Sequence, residues 1–146
     1  MASPLVTVQS ALETEWEALT PPDRTAITYR HTEGQDTNKG FSGDRVFWFD
    51  VPSDGTATDE RGAVMTEYVH AFVARVRLIS AGYTQRTLFN RVANEAALLI
   101  RAVDKKSENT WGSGIINVIT DGYTTERGKE EVILSINIRA FTQETD

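Results

Sequence analysis

The fold is decided by two stretches, VMTEYVHAFVARVRLI at residues 64–79 and VILSINIRAF at residues 132–141. In both, apolar side chains recur at every second position, which is the pattern of a β-strand with one buried face. The spacing of Tyr68, Phe72 and Val76 also fits a helix, but the many β-branched residues favour a strand. The first strand exceeds the usual length, so we expect it to bend, to contain a bulge or to project beyond the domain.

Two other segments have the periodicity of amphipathic helices. Ser3 is the predicted cap of the first helix, with Pro4 at its first position, and the helix should end before the prolines at 21–22. The second helix is predicted at residues 84–104, capped by Thr84. Arg86, Arg91, Glu95 and Arg101 are predicted to lie outside the centre of its apolar stripe. The predicted stripes are Leu5, Val8, Leu12, Trp16 and Leu19, and then Leu88, Phe89, Val92, Ala96, Leu99, Ile100 and Val103.

Residues 26–31 and 45–51 are predicted to be shorter strands, because their apolar and aromatic residues also alternate. Both faces of the second strand are apolar. We therefore expect each of them to be covered, either by the core or by a partner. The alternation pairs Ile27 with Tyr29, Val46 with Trp48, and Phe47 with Phe49.

The first of three polar segments is predicted to be a mobile connection or an extended hairpin arm, and the other two are predicted to be loops. Residues 32–44, 52–62 and 105–114 are rich in glycine, serine, threonine and aspartate or in other polar residues. Segments of this composition build no core of their own. We expect the first two loops to be mobile in the isolated chain and to be ordered by neighbours in an assembly.

The C-terminal part is predicted to form a long hairpin. Its strands are residues 115–120 and 131–141, separated by a segment that contains Asp121-Gly122 and Gly128. Residues 142–146 should fray. The predicted order is α-β-β-β-α-β-β. This order indicates a single α+β domain over residues 1–146, with a mixed or antiparallel sheet of long strands and two helices packed on one face.

Composition limits the possible functions of the chain. The 146 residues contain no cysteine, which excludes disulfides, thiolate catalysis and cysteine-ligated metals. The net charge of −6 discourages binding to a phosphate backbone, which needs clustered lysine and arginine. No segment approaches the roughly 20 apolar residues of a membrane span, and the N-terminal residues lack the pattern of a signal peptide.

No motif in the sequence predicts catalysis. His31 and His70 lack the spacing of a metal site, and a structural role is the more common explanation for each. The acidic loop residues lack the alternating ligands of a calcium loop. The glycine-rich stretch at 111–114 matches neither of the common phosphate-binding patterns. We therefore predict no catalytic, cofactor-binding or metal-binding residues.

A set of aromatic and basic residues is predicted to contact other protein chains. Aromatic side chains on a strand with two apolar faces invite a partner, and arginines can meet acidic residues of another copy. The predicted interface residues are Phe47, Trp48, Phe49, Arg75, Arg77 and Trp111. The charges that could pair between copies are Arg75, Arg77, Arg86, Arg91 and Arg101 with Glu13, Glu15, Glu17 and Glu67.

The layout of the chain resembles the tail-terminator proteins of long-tailed bacteriophages. The resemblance consists of an N-terminal helix at 5–19, a long strand at 68–79 that runs into the helix at 85–103, and a closing hairpin at 115–141. It covers most of the chain and rests on layout and size. The family has no catalytic residues that could be carried over.

The resemblance implies a structural protein of the virion neck, assembled in the cytoplasm of the bacterial host. Such a protein forms a ring, typically a hexamer, that caps the tail tube and faces the head connector. Its partners would be further copies of itself, the tail-tube protein and the connector protein. Genomic DNA would pass through the lumen without sequence-specific binding. Two alternatives are a small α+β enzyme or ligand-binding domain with a pocket between sheet and helices, and a tube-type subunit of a contractile injection machine.

Overall fold

In the described part of the chain, six strands form one mixed sheet, and two helices pack against one of its faces. The structure, a computed structural model, describes residues 3–24, 27–32, 43–61 and 65–145. The described elements are α1 (Pro4–Glu17), β1 (Arg30–His31), β2 (Val46–Phe49), β3 (Asp54–Arg61), β4 (Met65–Ile79), α2 (Gln85–Asp104), β5 (Ile115–Arg127) and β6 (Glu131–Thr145).

The strand β4 lies at the centre of the sheet. The strand order is β1-β2-β4-β6-β5, and β3 pairs with β4 beside β2. Only β1 and β2 run parallel; all other neighbours are antiparallel. The strands β4 and β6 have 15 residues each and pair along their full length, from Met65 opposite Thr145 to Ile79 opposite Glu131. The prediction of a long strand rather than a helix at this position is confirmed.

The core lies between the helices and one face of the sheet. Alternate residues of β4 point toward the helices, and their partners on β6 lie on the same face. This face is almost completely buried, as the alternation in the sequence predicts. The paired rows are Phe72 with Ile138, Ala74 with Ile136, Val76 with Leu134, and Leu78 with Val132.

Both helices begin at the residues that their sequences predict. The Ser3 side chain accepts a hydrogen bond from the Leu5 backbone, and Thr84 accepts one from Thr87. The α1 helix buries Val8, Leu12 and Trp16 completely. The indole Nε1 of Trp16 donates to the Leu99 carbonyl of α2 at 3.3 Å, which joins the two helices inside the core.

The predicted face of α2 needs two corrections. Phe89 was assigned to the buried stripe but is 74 % exposed, because it lies at the outer margin of the stripe. Glu95 was placed outside the stripe but is 1 % exposed. Its position three residues after Val92 and four before Leu99 puts it on the buried side, where it meets buried cations.

The prediction of a loop at residues 52–62 is wrong, because Asp54–Arg61 forms the strand β3. This segment has no apolar alternation, and its side chains from Asp54 to Ala57 are all exposed. It is a strand because its backbone completes hydrogen bonds on the outer edge of β4, in a register that runs from Asp54 opposite Ala71 to Arg61 opposite Met65. Polar and charged residues are typical of such an edge strand.

The hairpin and the C-terminal end are also longer than predicted. Asp121-Gly122 does not end β5 but forms a bulge within it, and Gly122 has a φ of 90°. Residues 142–145 do not fray: they belong to β6, and Thr142 is fully buried. Of the predicted strand at 26–31, residue 26 lies outside the described part of the chain; among residues 27–31 only Arg30–His31 is a strand, and Ile27 is exposed. Of the predicted loop at 32–44, residues 33–42 lie outside the described part of the chain.

Candidate assembly surfaces and a buried ion network

An ion network lies at the margin of the core, where α2 meets the segment before β2. The Glu95 carboxylate accepts from Arg45 Nε at 2.6 Å and from Arg91 Nε at 2.6 Å. It also accepts from the Tyr29 hydroxyl at 2.8 Å. Asp44 binds the other end of the Arg91 guanidinium with both oxygens. Both arginines are therefore neutralised within the chain, and both Glu95 oxygens have donors.

The geometry of the network shifts the pKa values of its two arginines and its tyrosine. Burial acts to lower the pKa of Arg45, but its bonds to Glu95 and Asp23 outweigh this effect and the pKa lies above its ordinary value. The same balance, with Glu95 and Asp44 as partners, raises the pKa of Arg91. Burial, followed by the negative charge of Glu95, raises the pKa of Tyr29. The network thus consists of two arginines that stay charged and one tyrosine that stays protonated, and all three donate hydrogen bonds to carboxylates.

Arg45 also has an unusual backbone. Its φ is 58°, in the left-handed region that disfavours side chains with a Cβ. The conformation is supported on both sides, because the Arg45 amide donates to Arg77 at 2.8 Å and its carbonyl accepts from Arg30 at 2.9 Å. The turn before β2 therefore aims the guanidinium into the network. The bonds of Arg45 to Glu95, Asp23 and the Ile27 carbonyl tie this turn to α2 and to the segment before β1.

A cavity of about 420 Å³ lies beside the network. Its lining includes Asp23, Arg45, Tyr83, Arg91 and Asn94. The cations that line it already bind carboxylates, and Arg91 also lies over the Tyr83 ring at 5.1 Å. The lining also contains Thr87 and Glu95, and the carboxylates of Asp23 and Glu95 both already bind Arg45.

The two histidines have structural partners. His31 pairs with Glu13 at 3.3 Å and stacks on Phe49, and His70 pairs with Glu144 at 3.1 Å and stacks on Tyr68. Each histidine therefore bridges two elements of the fold. Among the described residues, no group of three or more histidine or acidic side chains is arranged to hold a metal ion.

The face of the sheet opposite the helices, which we call the open face, contains three of the six predicted interface residues. The register pairs Trp48 with Arg75 on this face, and Arg77 lies in the next row. All three are half-buried, and neither described helix covers them. Arg75 binds Asp50 at 2.7 Å, and Arg77 binds Glu131 at 3.0 Å. The structure thus brings these three predicted residues together.

The other three predicted interface residues point into the core. Phe47 is fully buried between Trp16 and Phe49, and Trp111 is 4 % exposed. Phe49 is half-buried against the same cluster. Phe47 and Phe49 lie on the helix-facing side of the sheet, and Trp111 closes one end of the core. Their aromatic character reflects packing within the chain, and no partner can reach Phe47 or Trp111 in this structure.

The predicted charge pairs between copies are partly satisfied within the chain. Arg75, Arg77 and Arg91 each bind a carboxylate of their own chain. Lys106 Nζ forms an ion pair with Glu15 Oε1 at 3.0 Å. The spacing of four between Arg91 and Glu95 was the signal in the sequence that could have revealed the network. Arg86 and Arg101 remain exposed, without an ion pair among the described residues.

A second, more apolar groove lies at the other side of the molecule. The first half of α2 forms one wall, and the hairpin end of β5 and β6 forms the other, around a volume of about 590 Å³. The exposed rings of Phe89 and Tyr123 line it, and Arg86 and Arg127 lie at its margin. We call it the α2–hairpin groove. The sequence did not single it out, because Phe89 was assigned to the core.

Comparison with known families finds no family model that matches this chain, and comparison with curated proteins finds no match either. Neither described helix is long and apolar enough to cross a membrane. Any assignment of function therefore rests on the fold and its surfaces.

Proposed function

We propose that this chain is a structural assembly protein that works as a ring of identical copies. In particular, we propose a tail-terminator role, in which the ring caps the tail tube of a long-tailed bacteriophage and joins it to the head connector. The proposed partners are other copies of the chain, the tube protein and the connector protein. Genomic DNA would pass through the lumen without sequence-specific contacts. The site of action would be the neck of the virion.

The observation that carries the assembly proposal is the open face of the sheet. Helices cover most of one face, but the other presents half-buried apolar side chains between charged ones. A contiguous surface of this kind is typical of a contact between proteins. The apolar members that are half-buried there are Val69, Ala71, Val73, Ile79, Ile133 and Phe141.

The lengths of the strands support the same proposal. The strands β4 and β6 have 15 residues each, where strands of about 5 to 6 residues are usual. Two long edges also lie at opposite sides of the sheet, β3 at one and β5 at the other. Extended edges at opposite sides allow each copy to contact two neighbours, as a ring requires.

The tail-terminator part of the proposal rests on the order of elements. An N-terminal helix precedes short strands, a long strand leads into the amphipathic helix α2, and a long hairpin follows. The net charge of −6 agrees with a lumen through which DNA slides without binding. The ionic groups of the network serve the fold itself, which suits a protein without a reaction to catalyse.

Native mass spectrometry and electron microscopy of the purified chain test the proposal. We expect a closed ring of fixed copy number that is favoured by concentration or by tail tubes. A chain that stays monomeric both at high concentration and on tubes would contradict it.

Ligand binding is the second candidate, and one observation favours it: the cavity of about 420 Å³ beside the ion network. Asn94 lines this cavity and is exposed, so its amide could bind a small polar molecule. A screen of small metabolites by thermal shift separates the two candidates. A ligand that stabilises the chain, and loses this effect in Asn94→Ala, would favour binding over assembly.

A further inference from the structure

Six large apolar or aromatic side chains of the described residues are exposed. They are Val6, Ile27, Val51, Tyr83, Phe89 and Tyr123. Phe89 and Tyr123 both belong to the α2–hairpin groove. Exposed rings in a concave groove are typical of an interaction surface.

The margin of this groove is positively charged. Arg86 and Arg127 line it together with apolar side chains, and no acidic side chain does. Arg127 donates to the neutral amide of Gln85 at 2.9 Å and has no ion pair within the described part of the chain, and Arg86 is exposed. The groove therefore fits an apolar group that is accompanied by a carboxylate.

The segment between β2 and β3 has this chemistry. Val51 is 85 % exposed and is followed by Pro52, with Asp50 and Asp54 on either side. The backbone is fixed at both ends of the segment: Asp50 donates to Val73 and Ser53 donates to Ala71, each at 2.9 Å. The apolar tip is thus held in place before any partner binds, which lowers the entropic cost of docking.

The other exposed apolar residues fit the groove less well. Ile27 lies between Arg24 and Arg30, whose charge would repel that of the groove. Val6 has uncharged neighbours on α1, and Tyr83 lies under the Arg91 guanidinium. Val51 alone combines high exposure with flanking carboxylates. Asp50 already binds Arg75, so Asp54, which is exposed, is the carboxylate left for a new cation.

The tip and the groove lie at opposite sides of the sheet. Val51 belongs to the β2–β3 side of β4, whereas the groove is formed with β5 on the far side of β6. A chain cannot fill its own groove in this arrangement. A contact between two different patches joins copies head to tail and closes into a ring when the rotation between them allows it.

We propose that Val51 and Pro52 of one copy dock into the α2–hairpin groove of the next copy, with Asp54 facing Arg86 and Arg127. This contact rests on the proposed ring and names the surfaces that form it. The tip is small, and a standard interface buries about 1,600 Å². Single contacts are therefore weak, and the second contact that each copy gains on closure stabilises the ring.

Disulfide trapping tests the contact, because the chain has no cysteine of its own. Ser53→Cys and Thr125→Cys are made as separate proteins, mixed, and oxidised with oxidised glutathione. Both positions are exposed, one beside the docking tip and one in the groove lining, so the tip and both rings of the groove stay in place. Ser53→Cys mixed with Ser107→Cys is the control, since Ser107 is exposed outside the groove. Sedimentation of the wild-type chain is measured in parallel.

We expect the mixed dimer of the Ser53→Cys and Thr125→Cys proteins to form roughly tenfold faster than the control dimer, because docking raises the effective concentration of the two thiols. Adding Asp54→Arg to the Ser53→Cys protein should remove this advantage, and Arg86→Asp with Arg127→Asp on the other protein should restore it. Equal rates for both mixtures overturn the contact. If equal rates accompany a ring in sedimentation, the contact is wrong and the ring forms elsewhere. If the mixed dimer forms fast but sedimentation shows open chains of linked copies instead of a ring, the contact is supported and closure into a ring is contradicted.

Discussion

Arg45 Nε lies 2.6 Å from Glu95 Oε1, and both side chains are about 1 % exposed. The pair joins the turn before β2 to the middle of α2. Arg91 binds the second carboxylate oxygen, so one acidic group holds two cations. Ion pairs of this kind add little net stability, but removal of one member leaves an uncompensated buried charge.

Glu95→Gln should therefore destabilise the chain strongly. Two guanidinium groups would lose their shared carboxylate, and we expect the free energy of unfolding to fall by about 3–5 kcal/mol. Urea unfolding followed by tryptophan fluorescence measures the change. Glu126→Gln, at an exposed position on β5, is the matched control and should change it by less than about 0.5 kcal/mol. Similar stabilities for both variants would show that the network is not coupled to folding.

Tyr29 gives the network a predicted dependence on alkaline pH. Its pKa is raised in the folded chain, chiefly by burial. Below about pH 10 the phenol is neutral in both states, and its contribution is constant. Above that value the unfolded chain loses the proton and the folded chain keeps it, so the free energy of unfolding falls by up to about 1.4 kcal/mol per pH unit.

Unfolding curves at rising pH measure this slope. Tyr29→Phe removes the proton and should flatten the dependence, and it should also lower stability at neutral pH by about 1.5–3 kcal/mol because Glu95 loses a donor. Tyr123→Phe, at an exposed position, should leave the slope unchanged. A wild-type slope that is equal to that of Tyr29→Phe would contradict the argument.

Variants of two adjacent residues, Phe47 and Trp48, test folding and assembly separately. Phe47 points into the core, and Trp48 points to the open face beside Arg75. Phe47→Ala should cost about 3–5 kcal/mol of stability, as expected for a large core side chain. Trp48→Ala should cost less but should weaken self-association, which native mass spectrometry detects. Normal assembly of Trp48→Ala would remove this part of the open face from the interface.

The strand β3 makes a prediction for the free chain. Its amides that point at β4 should be protected from hydrogen exchange, as should Ser53, which donates to Ala71 at 2.9 Å. The exposed residues 107–108 after α2 should exchange much faster. This expectation replaces that of a mobile loop at 52–62. Equally fast exchange in both segments would show that β3 forms only in an assembly.

Much of the fold was predictable from local patterns. The caps Ser3 and Thr84, the stripe around Leu99 and the alternation of β4 are all periodic signals that depend on burial of one face. The strand β3 was missed because backbone pairing with β4, rather than the properties of its own side chains, determines its structure. Composition alone predicts a loop there.

The candidate surfaces were harder to predict. Aromatic character marks both core and interface residues, so Phe47 and Trp48 could not be told apart without the register that puts them on opposite faces. The helical spacing predicts Glu95 outside the centre of the apolar stripe, and it does not show that Arg91, four residues before, and Arg45 neutralise Glu95 in the core. The α2–hairpin groove depends on a contact between distant segments, which a one-dimensional pattern does not contain.

The proposed tail-terminator role is tested most directly by electron microscopy of lysates from a phage whose copy of this gene carries Leu99→Asp. Leu99 is fully buried, and an unpaired charge there should cost several kcal/mol and prevent folding. The account predicts separate heads and tails, or tails of uncontrolled length, and normal particles when the wild-type chain is supplied. His70→Gln is the control, because its partner Glu144 can still be reached by an amide, and it should give normal particles. Normal, joined particles of normal tail length from the Leu99→Asp phage would contradict the account.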